Sequence, residues 1–466
     1  MSNVASKDDV PLCVNCENAL FKTQIFYEAL FLYIRRNPFY IFLLPIWLLQ
    51  DRSALIHQMS KDVQINWSTV PFCERVVERV RAARNDGRRV FLLTSMPKAW
   101  SEMLSNEFAG SEVISLSEAA SFGSRGFDYI GDGRRDLALC KSARRVLLVS
   151  SDRAAIADAS AVSSVESVVS KERIGPLTFL KMIRVHQWVK NLLIWVPLLA
   201  AHRLTSIRGI ALATAAFLSF SFCASSVYVL NDLLDIESDR QHARKRNRPL
   251  AAGKIAVNQA LAVGLLLFVA AAWLALRVSS LFTLTVGIYF AMTLAYSMRL
   301  KRQVIVDVML LAALYTIRVV AGAVATTVVP SFWLLAFSMF LFLSLAVVKR
   351  YSEMLVTLSQ DKQYAAGRGY SVEDLPVLLS LGVSTGVAAI VVLALYINDP
   401  TTSRLYPTTI WLWPVPPLML YWVSRVWMKA HRGEMHDDPV VFAMRDWQSL
   451  LTVVLGGLCF AVAAMP

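Results

Sequence analysis

Charge is what this sequence is short of. Only 17% of its 466 residues are Asp, Glu, Lys or Arg, against roughly 25% in ordinary globular proteins. The shortage is uneven. Up to about residue 175 charged and apolar blocks alternate as in a soluble domain, and beyond it apolar runs long enough to cross a bilayer recur. A single soluble globule is excluded; a soluble N-terminal domain and a polytopic membrane domain are expected. Cysteine is scarce too. The six cysteines are scattered, and Cys13 with Cys16 forms one CxxC without a second pair, which suits a buried strand better than a zinc or redox site. His57, His186, His202, His242, His431 and His436 share no ligand spacing. The opening "MSNVASKDDVPLC" lacks an apolar core, so no cleavable signal peptide is expected. No nucleic-acid module accompanies the net charge of +13. Nucleic acid is not an expected partner, and the charge is assigned to topology and to anionic membrane lipids.

What is present is a series of apolar segments. Nine spans are expected, at about 188–201, 209–230, 257–276, 281–298, 304–323, 332–348, 377–397, 411–428 and 448–465, because only helices satisfy their own backbone in lipid. The first is short for a span, and its start reaches back as far as Phe179. Four of the inter-span loops carry almost no Lys or Arg, while "RQHARKRNR", "RLKR", "KRYSEM…DKQYAAGR" and "KAHRGEMHDDP…MRD" lie on the other side. The positive-inside rule places this second set, and with it the N-terminal domain, in the cytoplasm.

The chemistry concentrates at the end of the second span, in "VYVLNDLLDIESDRQHARKRNRPLAAG". Asp232, Asp235 and Asp239 lie three and four residues apart, so on one helix they share a face. Bare carboxylates repel, and an all-oxygen set suits a hard cation such as magnesium, held with substrate phosphates. Asn231 joins them, and Arg244, Lys245, Arg246 and Arg248 follow to neutralise phosphate oxygens that the metal leaves uncovered. The pattern reads as a diphosphate site; the plainer reading is a solvated juxtamembrane cap.

A second polar cluster contains Tyr296, Lys301, Asp307 and Arg318. Asp307 and Arg318, eleven residues apart in an apolar span, are expected on one helical face. They form either a structural pair or a site in which Asp307 serves metal or ribose and Arg318 holds phosphate or orients Asp307. Lys190 and Asn191 offer a phosphate donor at the first span. Lys349 and Arg350 come next, with Arg350 able to pair with Glu353; Arg445 and Asp446 are weaker candidates.

The run from Asn231 to Asp239, Asn-Asp-x-x-Asp-x-x-x-Asp, resembles the first acidic motif of the UbiA superfamily of intramembrane prenyltransferases. The resemblance covers about 175–466 and implies nine helices around a cavity. Usual members show a second aspartate triplet. Here "YSMRLKRQVIVD", "RVVAG", "VVKRYSE" and "DDPVVFAMRD" stand instead, and resemble the decaprenyl-phosphate phosphoribosyltransferase branch. That branch implies magnesium-dependent transfer of a 5-phosphoribosyl group from phosphoribosyl diphosphate to a polyprenyl phosphate, releasing diphosphate, for cell-envelope glycolipid synthesis at a bacterial inner membrane. Asp232, Asp235, Asp239 and Asp307 are then the catalytic and metal-binding residues. Asn231, Arg246, Arg248, Lys301, Arg318, Lys349, Arg350 and Asn191 bind substrate, and Lys190 meets either the lipid phosphate or the donor 5-phosphate.

The N-terminal part alternates strands and helices from about 8 to 155, which predicts a parallel α/β domain. It resembles the haloacid dehalogenase superfamily, with "VNCENAL" in place of that family's nucleophile motif. Asn15 stands at the nucleophile position, Glu17 at the general-acid position, and Asn18 and Ala19 replace glycine and threonine. Thr94, Asp132 and Asp136 match later motifs, and no lysine fits the third. An amide is no nucleophile for an aspartyl-phosphate route, so an inactive phosphatase-like domain is expected. Residues 28–50 contain an apolar core, Pro38 to Leu49, too short to span. It reads either as a piece lying on the membrane or as a cap helix within the domain. The small, serine-rich stretch within 156–174 reads as a linker.

The rival to phosphoribosyl transfer is a prenyltransferase that moves a polyprenyl chain from its diphosphate to an aromatic or other acceptor. A transporter or scaffold is the non-enzyme alternative, and a homo-oligomer is compatible with either activity.

Overall fold

The computed structural model describes residues 10–37, 39–40, 52–119, 122, 126–170, 175–242, 245–364, 368–435 and 438–465. The chain divides into two compact units. One holds Met1–Ile183 with Tyr228–Gly264, the other Arg184–Val227 with Leu265–Pro466.

The first unit is built on six parallel strands: β1 (Leu12–Asn15), β2 (Val90–Leu93), β3 (Glu112–Ile114), β4 (Asp128–Gly131), β5 (Arg145–Val149) and β6 (Val165–Val169), in the spatial order β3-β2-β1-β4-β5-β6. The central strands are buried on both faces, as parallel strands covered by crossover helices must be. Successive side chains alternate between two cores. Leu12, Val14, Val90, Leu92 and Ile130 point into one, and Cys13, Phe91, Leu93, Tyr129, Val146 and Leu148 into the other. Cys13 and Cys16 are free and buried, and burial pushes the Cys13 thiol up to about 12. From β1 the chain steps outward to β2 and β3, then returns to β4 on the other side. The strand order therefore reverses beside β1, and a crevice opens at the carboxyl ends of β1 and β4.

The stretch expected to be a linker is part of this domain. Arg153–Val162 is a helix whose N-cap, Asp152, accepts from the Ala154 amide, and β6 pairs in parallel with β5. Small residues suit a short surface helix and an exposed edge strand as well as a tether. Of the segment 28–50, the helix α1 (Ile25–Arg36) buries Glu28, Ala29, Leu30, Phe31 and Tyr33. Residues 38 and 41–50, the core of the expected membrane-lying piece, lie outside the described residues.

Among the described residues, six helices are long and apolar enough to cross a membrane, or seven with the bent pair Pro439–Arg445 and Trp447–Ala463 counted as one span. They include α2 (Ile207–Leu234), and, beyond the six-residue helix α3 (Ile236–Gln241), Val257–Val278, Ser280–Met298, α4 (Val306–Thr326), α5 (Phe332–Leu358) and Val372–Ile397. Nine spans were expected. The first falls on a 3-10 helix, Val185–Trp195, followed by the five-residue α-helix Val196–Ala200. The eighth is a helix of 17 residues, Val415–His431, about 26 Å at 1.5 Å per residue, under the roughly 30 Å hydrocarbon thickness. The ninth, Trp447–Ala463, starts at an 82° bend. There Asp446 caps it by accepting from the Ser449 amide and pairs with Arg425 at 2.6 Å and 2.8 Å.

The second unit packs Val308, Tyr315 and Val319 of α4 against Phe342, Leu345 and Val348 of α5 and against Trp422 and Trp427. Gly322 lets α4 approach the 3-10 segment closely, because a Cβ there would sit 2.0 Å from the Ile194 carbonyl oxygen. That contact seats Lys190 and Asn191, which are buried.

Candidate functional site

The acidic cluster belongs to the first unit. Its three aspartates do not share one uninterrupted helix. Asp232 is in the last turn of α2, Asp235 caps α3 in a non-helical conformation, and Asp239 stands on α3. Asp232 and Asp239 are buried, and both accept from one nitrogen, Nη1 of Arg248, at 3.1 Å and 2.5 Å. Lys245 Nζ is 3.9 Å from Asp239, and Asp235, more exposed, lies 4.0 Å from Arg35. Asn231 is half-buried, and Arg246 is exposed on a 3-10 turn, Lys245–Asn247. Arg244 lies outside the described residues.

Among the described residues no three His, Cys, Asp or Glu side chains converge in a preformed metal cage. Two carboxylates do converge, on one cationic nitrogen. An all-oxygen pair straddling a single positive point fits a hard cation that takes one or two carboxylates and completes its shell with water and phosphate. Asp232 and Asp239 are therefore the residues that could hold magnesium, with Arg248 beside them.

The second unit holds a basic cluster around an aspartate that the sequence reading passed over. Lys190 Nζ donates to Asp438 Oδ2 at 2.8 Å, Lys349 Nζ to the same oxygen at 3.3 Å, and the Tyr315 hydroxyl to Oδ1 at 2.9 Å. Lys190 also lies 5.6 Å from the Tyr315 ring centroid. Burial raises the Asp438 carboxyl, but the charges of Lys349 and Lys190, with hydrogen bonds from Lys190 and Tyr315, hold it well below the usual carboxylate range. Among the described residues, two ammonium groups and a hydroxyl thus gather on this one carboxylate. Asp438 also accepts from the Val440 amide. The signal that could have found it is the Asp-Pro pair opening a helix.

Asp307 and Arg318 do not pair. Eleven residues place them about 16 Å apart along a helix, beyond ion-pair reach. Asp307 is fully buried with Arg350, in an ion contact of 2.6 Å that is out of line for a hydrogen bond, and it accepts from the Tyr370 hydroxyl at 2.8 Å. Arg350 also pairs with Glu353, the expected helix neighbour. Arg368, 4.0 Å from Asp307, donates to the Lys301 carbonyl and to Tyr296. Arg318 donates from Nε to Asn191 Oδ1 at 2.8 Å, from Nη2 to Tyr289 at 3.1 Å, and from Nη1 to the Leu314 carbonyl. Asn191 in turn donates to Ser221. These are packed polar networks, in which Asp307 is enclosed by Arg350 and Tyr370.

In the first unit, the residues singled out at the sheet's carboxyl edge come together. The Asn15 amide donates to Asp136 at 3.0 Å and the Asn18 amide at 3.2 Å, while Thr94 donates to Glu17 at 2.6 Å. Asp132 accepts from the Arg134 and Arg135 amides at 3.1 Å. Burial raises Asp136 above the ordinary carboxylate value. A cavity of about 1530 Å³ opens here, lined by Asn15, Glu17, Asp132, Arg134 and, from the segment after the acidic cluster, Gly253 and Lys254.

With this geometry the comparisons can be read. Residues 192–450 match the UbiA prenyltransferase family. The uncharacterized protein y4nM of Sinorhizobium fredii is 32% identical over 471 residues, 97% of this chain and 91% of that protein. A decaprenyl-phosphate phosphoribosyltransferase of Mycobacterium tuberculosis is 39% identical over 181 residues, 37% of this chain and 59% of that protein. A solved UbiA homologue from Archaeoglobus fulgidus, bound to GPP and Mg2+, aligns at TM-score 0.47 and 16% identity over 61% of this chain and 100% of that one. The match over more than half of the sequence, and the full-length relative, lead to one conclusion: the chain belongs to the UbiA prenyltransferase family.

Proposed function

We propose that the chain is a magnesium-dependent membrane transferase that moves a group from a diphosphate donor, bound at Asp232 and Asp239, to an acceptor, with a polyprenyl lipid as one substrate. The observation that carries this is the convergence of those two buried carboxylates on Arg248 Nη1 at the end of α2. Asp232 and Asp239 would hold magnesium there, and the metal would supply charge stabilisation for the leaving diphosphate. Arg248, released from the acids, and Lys245 pair with phosphate oxygens. Asp235, on the turn between the other two, would add negative charge beside the cation. Within the second unit, Asp438 and Tyr315 fix the ammonium position of Lys190, and Asp438 that of Lys349. The bond from donor carbon to diphosphate oxygen breaks as the acceptor bonds to that carbon, so positioning and electrostatics supply most of the rate.

Membership of the prenyltransferase family backs a prenyl diphosphate as the donor. A second reading has its own support. The 39% identity over 181 residues to a decaprenyl-phosphate phosphoribosyltransferase and the enclosure of Asp307 by Arg350 and Tyr370, with no second acidic cluster among the described residues, favour phosphoribosyl diphosphate as donor and a polyprenyl phosphate as acceptor. In either form Asn15 closes the aspartyl-phosphate route at the first unit's sheet edge, because an amide is no nucleophile for it.

Mass analysis of lipid products tests both forms. Purified protein is given magnesium and either phosphoribosyl diphosphate with polyprenyl phosphate, or polyprenyl diphosphate with an aromatic acid, beside a D232A/D239A control. Product from the first pair, absent in the control, establishes phosphoribosyl transfer; product from the second establishes prenyl transfer. Activity retained in the control removes the acidic cluster from the mechanism.

A further inference from the structure

Asp239 stands on α3, a helix of six residues, and so short a helix has no stability of its own. What holds it comes from an unexpected place. Arg240, the next residue, is buried and donates to Glu28 of α1 through two parallel bonds, Nη1 to Oε2 at 2.8 Å and Nη2 to Oε1 at 2.6 Å. Its Nε donates to the Ala251 carbonyl at 3.0 Å, which ties α3 to the segment after the basic run. Glu28 also accepts from Thr23. Three and seven residues along the same face of α1 stand Phe31 and Arg35. Phe31 packs with Leu233, Ile236, Leu250 and Ile255 on both sides of the acidic cluster. Arg35 lies within 3.4 Å of the Leu234 carbonyl and 4.0 Å of Asp235. The approach is close elsewhere too: at Gly253, with φ +66°, a Cβ would lie 2.9 Å from Lys22 Cβ and 3.0 Å from its carbonyl oxygen.

We propose that Glu28 is a positioning residue for the acidic cluster. By clamping Arg240 it fixes the helix that presents Asp239, and the α/β region is thereby a working part of the metal–diphosphate site. A fork-to-fork pair of guanidinium and carboxylate sets orientation as well as distance, and a buried charge that loses its partner is costly enough to move the backbone that carries it. The proposal rests on the assignment of Asp232 and Asp239 as metal ligands and supplies a role for a domain that lacks a nucleophile.

The test uses the full-length protein in lipid nanodiscs, with Mn2+ as the probe, its affinity read by electron paramagnetic resonance and the backbone read by hydrogen exchange. In Glu28→Gln and in Arg240→Gln, Mn2+ affinity is expected to fall on the order of tenfold, as for loss of an outer-shell partner. The double variant should fall no further than either single one. Exchange should quicken over residues 231–241 while β1, β2 and β4 keep their protection. A Glu112→Gln control on the exposed pair with Arg89 should match wild type. Mn2+ affinity unchanged in both single variants overturns the proposal, whether or not the segment loosens. If Glu28→Gln loses protection across the sheet, Arg240→Lys takes its place, since it keeps the charge and loses the fork; unchanged Mn2+ affinity there overturns the proposal too. Wild-type Mn2+ binding that survives D232A/D239A refutes the assigned metal site instead, and unchanged exchange over 231–241 in Glu28→Gln then refutes the clamp separately.

Discussion

Arg350 and Asp307 face each other with no exposed side-chain surface on either, 2.6 Å apart. A buried pair is worth little against a well-packed apolar substitute, but breaking it from one side costs about 3–5 kcal/mol. Arg350→Met and Asp307→Leu should each lower the thermal midpoint in detergent sharply, and the double variant should recover most of the loss. An activity defect in Asp307→Asn without loss of stability would return Asp307 to the reacting centre.

Arg248 is the counter-ion of two acids and, on the proposed function, a ligand of phosphate. Its replacement should have opposite effects on two measurements. With Arg248→Gln, the two carboxylates, relieved of that guanidinium, gain affinity for Mn2+ in the absence of donor, while KM for the diphosphate donor rises about tenfold, a loss of roughly 1.4 kcal/mol. A fall in Mn2+ affinity in this variant would show that Arg248 organises the cluster rather than competing for it.

Asp438 sets a pH window. Its folded-state carboxyl is depressed: burial opposes this, and Lys349 and Lys190 outweigh it. The stabilisation is therefore fully present above the unfolded carboxyl value of about 3.9 and is lost only as pH falls through the lower folded value. The difference in thermal midpoint between wild type and Asp438→Asn should stay level from about pH 5 to 8 and shrink below about pH 4. A difference that already shrinks between neutrality and pH 5 contradicts the assignment.

Asn15 donates to Asp136, whose carboxyl burial already raises. Asn15→Asp would set two carboxylates against each other. The variant should lose about 1 kcal/mol at neutral pH and regain it when magnesium is added, read as a shift in midpoint with and without the metal. Equal midpoints in the two conditions would mean that this edge of the sheet has lost its capacity for a cation.

Much of the architecture could be read from residue order, because long apolar runs and short strand-like blocks declare themselves by period. The parallel sheet and the central spans belong to that class. What stayed hidden depended on partners distant in sequence. Asp235 breaks the helix that its spacing with Asp232 and Asp239 suggested, and no local pattern marks that turn. Asp307 and Arg318 share a helix and a face, but the partner each finds is on another element: Arg350, and Asn191. Asp438 has the appearance of a surface cap until Lys190 and Lys349, far away in sequence, are seen to meet it. A helix to Val162 and a strand from Val165 to Val169 stand where a linker is expected, because alanine, serine and valine serve a tether, a short helix and an edge strand equally well.

The first unit is discontinuous: residues 184–227 leave it, and the chain returns at Tyr228. Synthesis runs from the N-terminus, so the nascent sheet and α1 emerge with Glu28 and Phe31 still lacking Arg240 and Leu250. The two sets meet only after α2 has been made, with Arg240 lying 212 residues beyond Glu28, which at ordinary elongation rates takes about 10–40 seconds. During that interval an unpaired carboxylate and a bare aromatic ring stand on the nascent surface. A chain truncated between residues 184 and 227 would keep them exposed permanently, so such fragments should be poorly soluble and bound by chaperones.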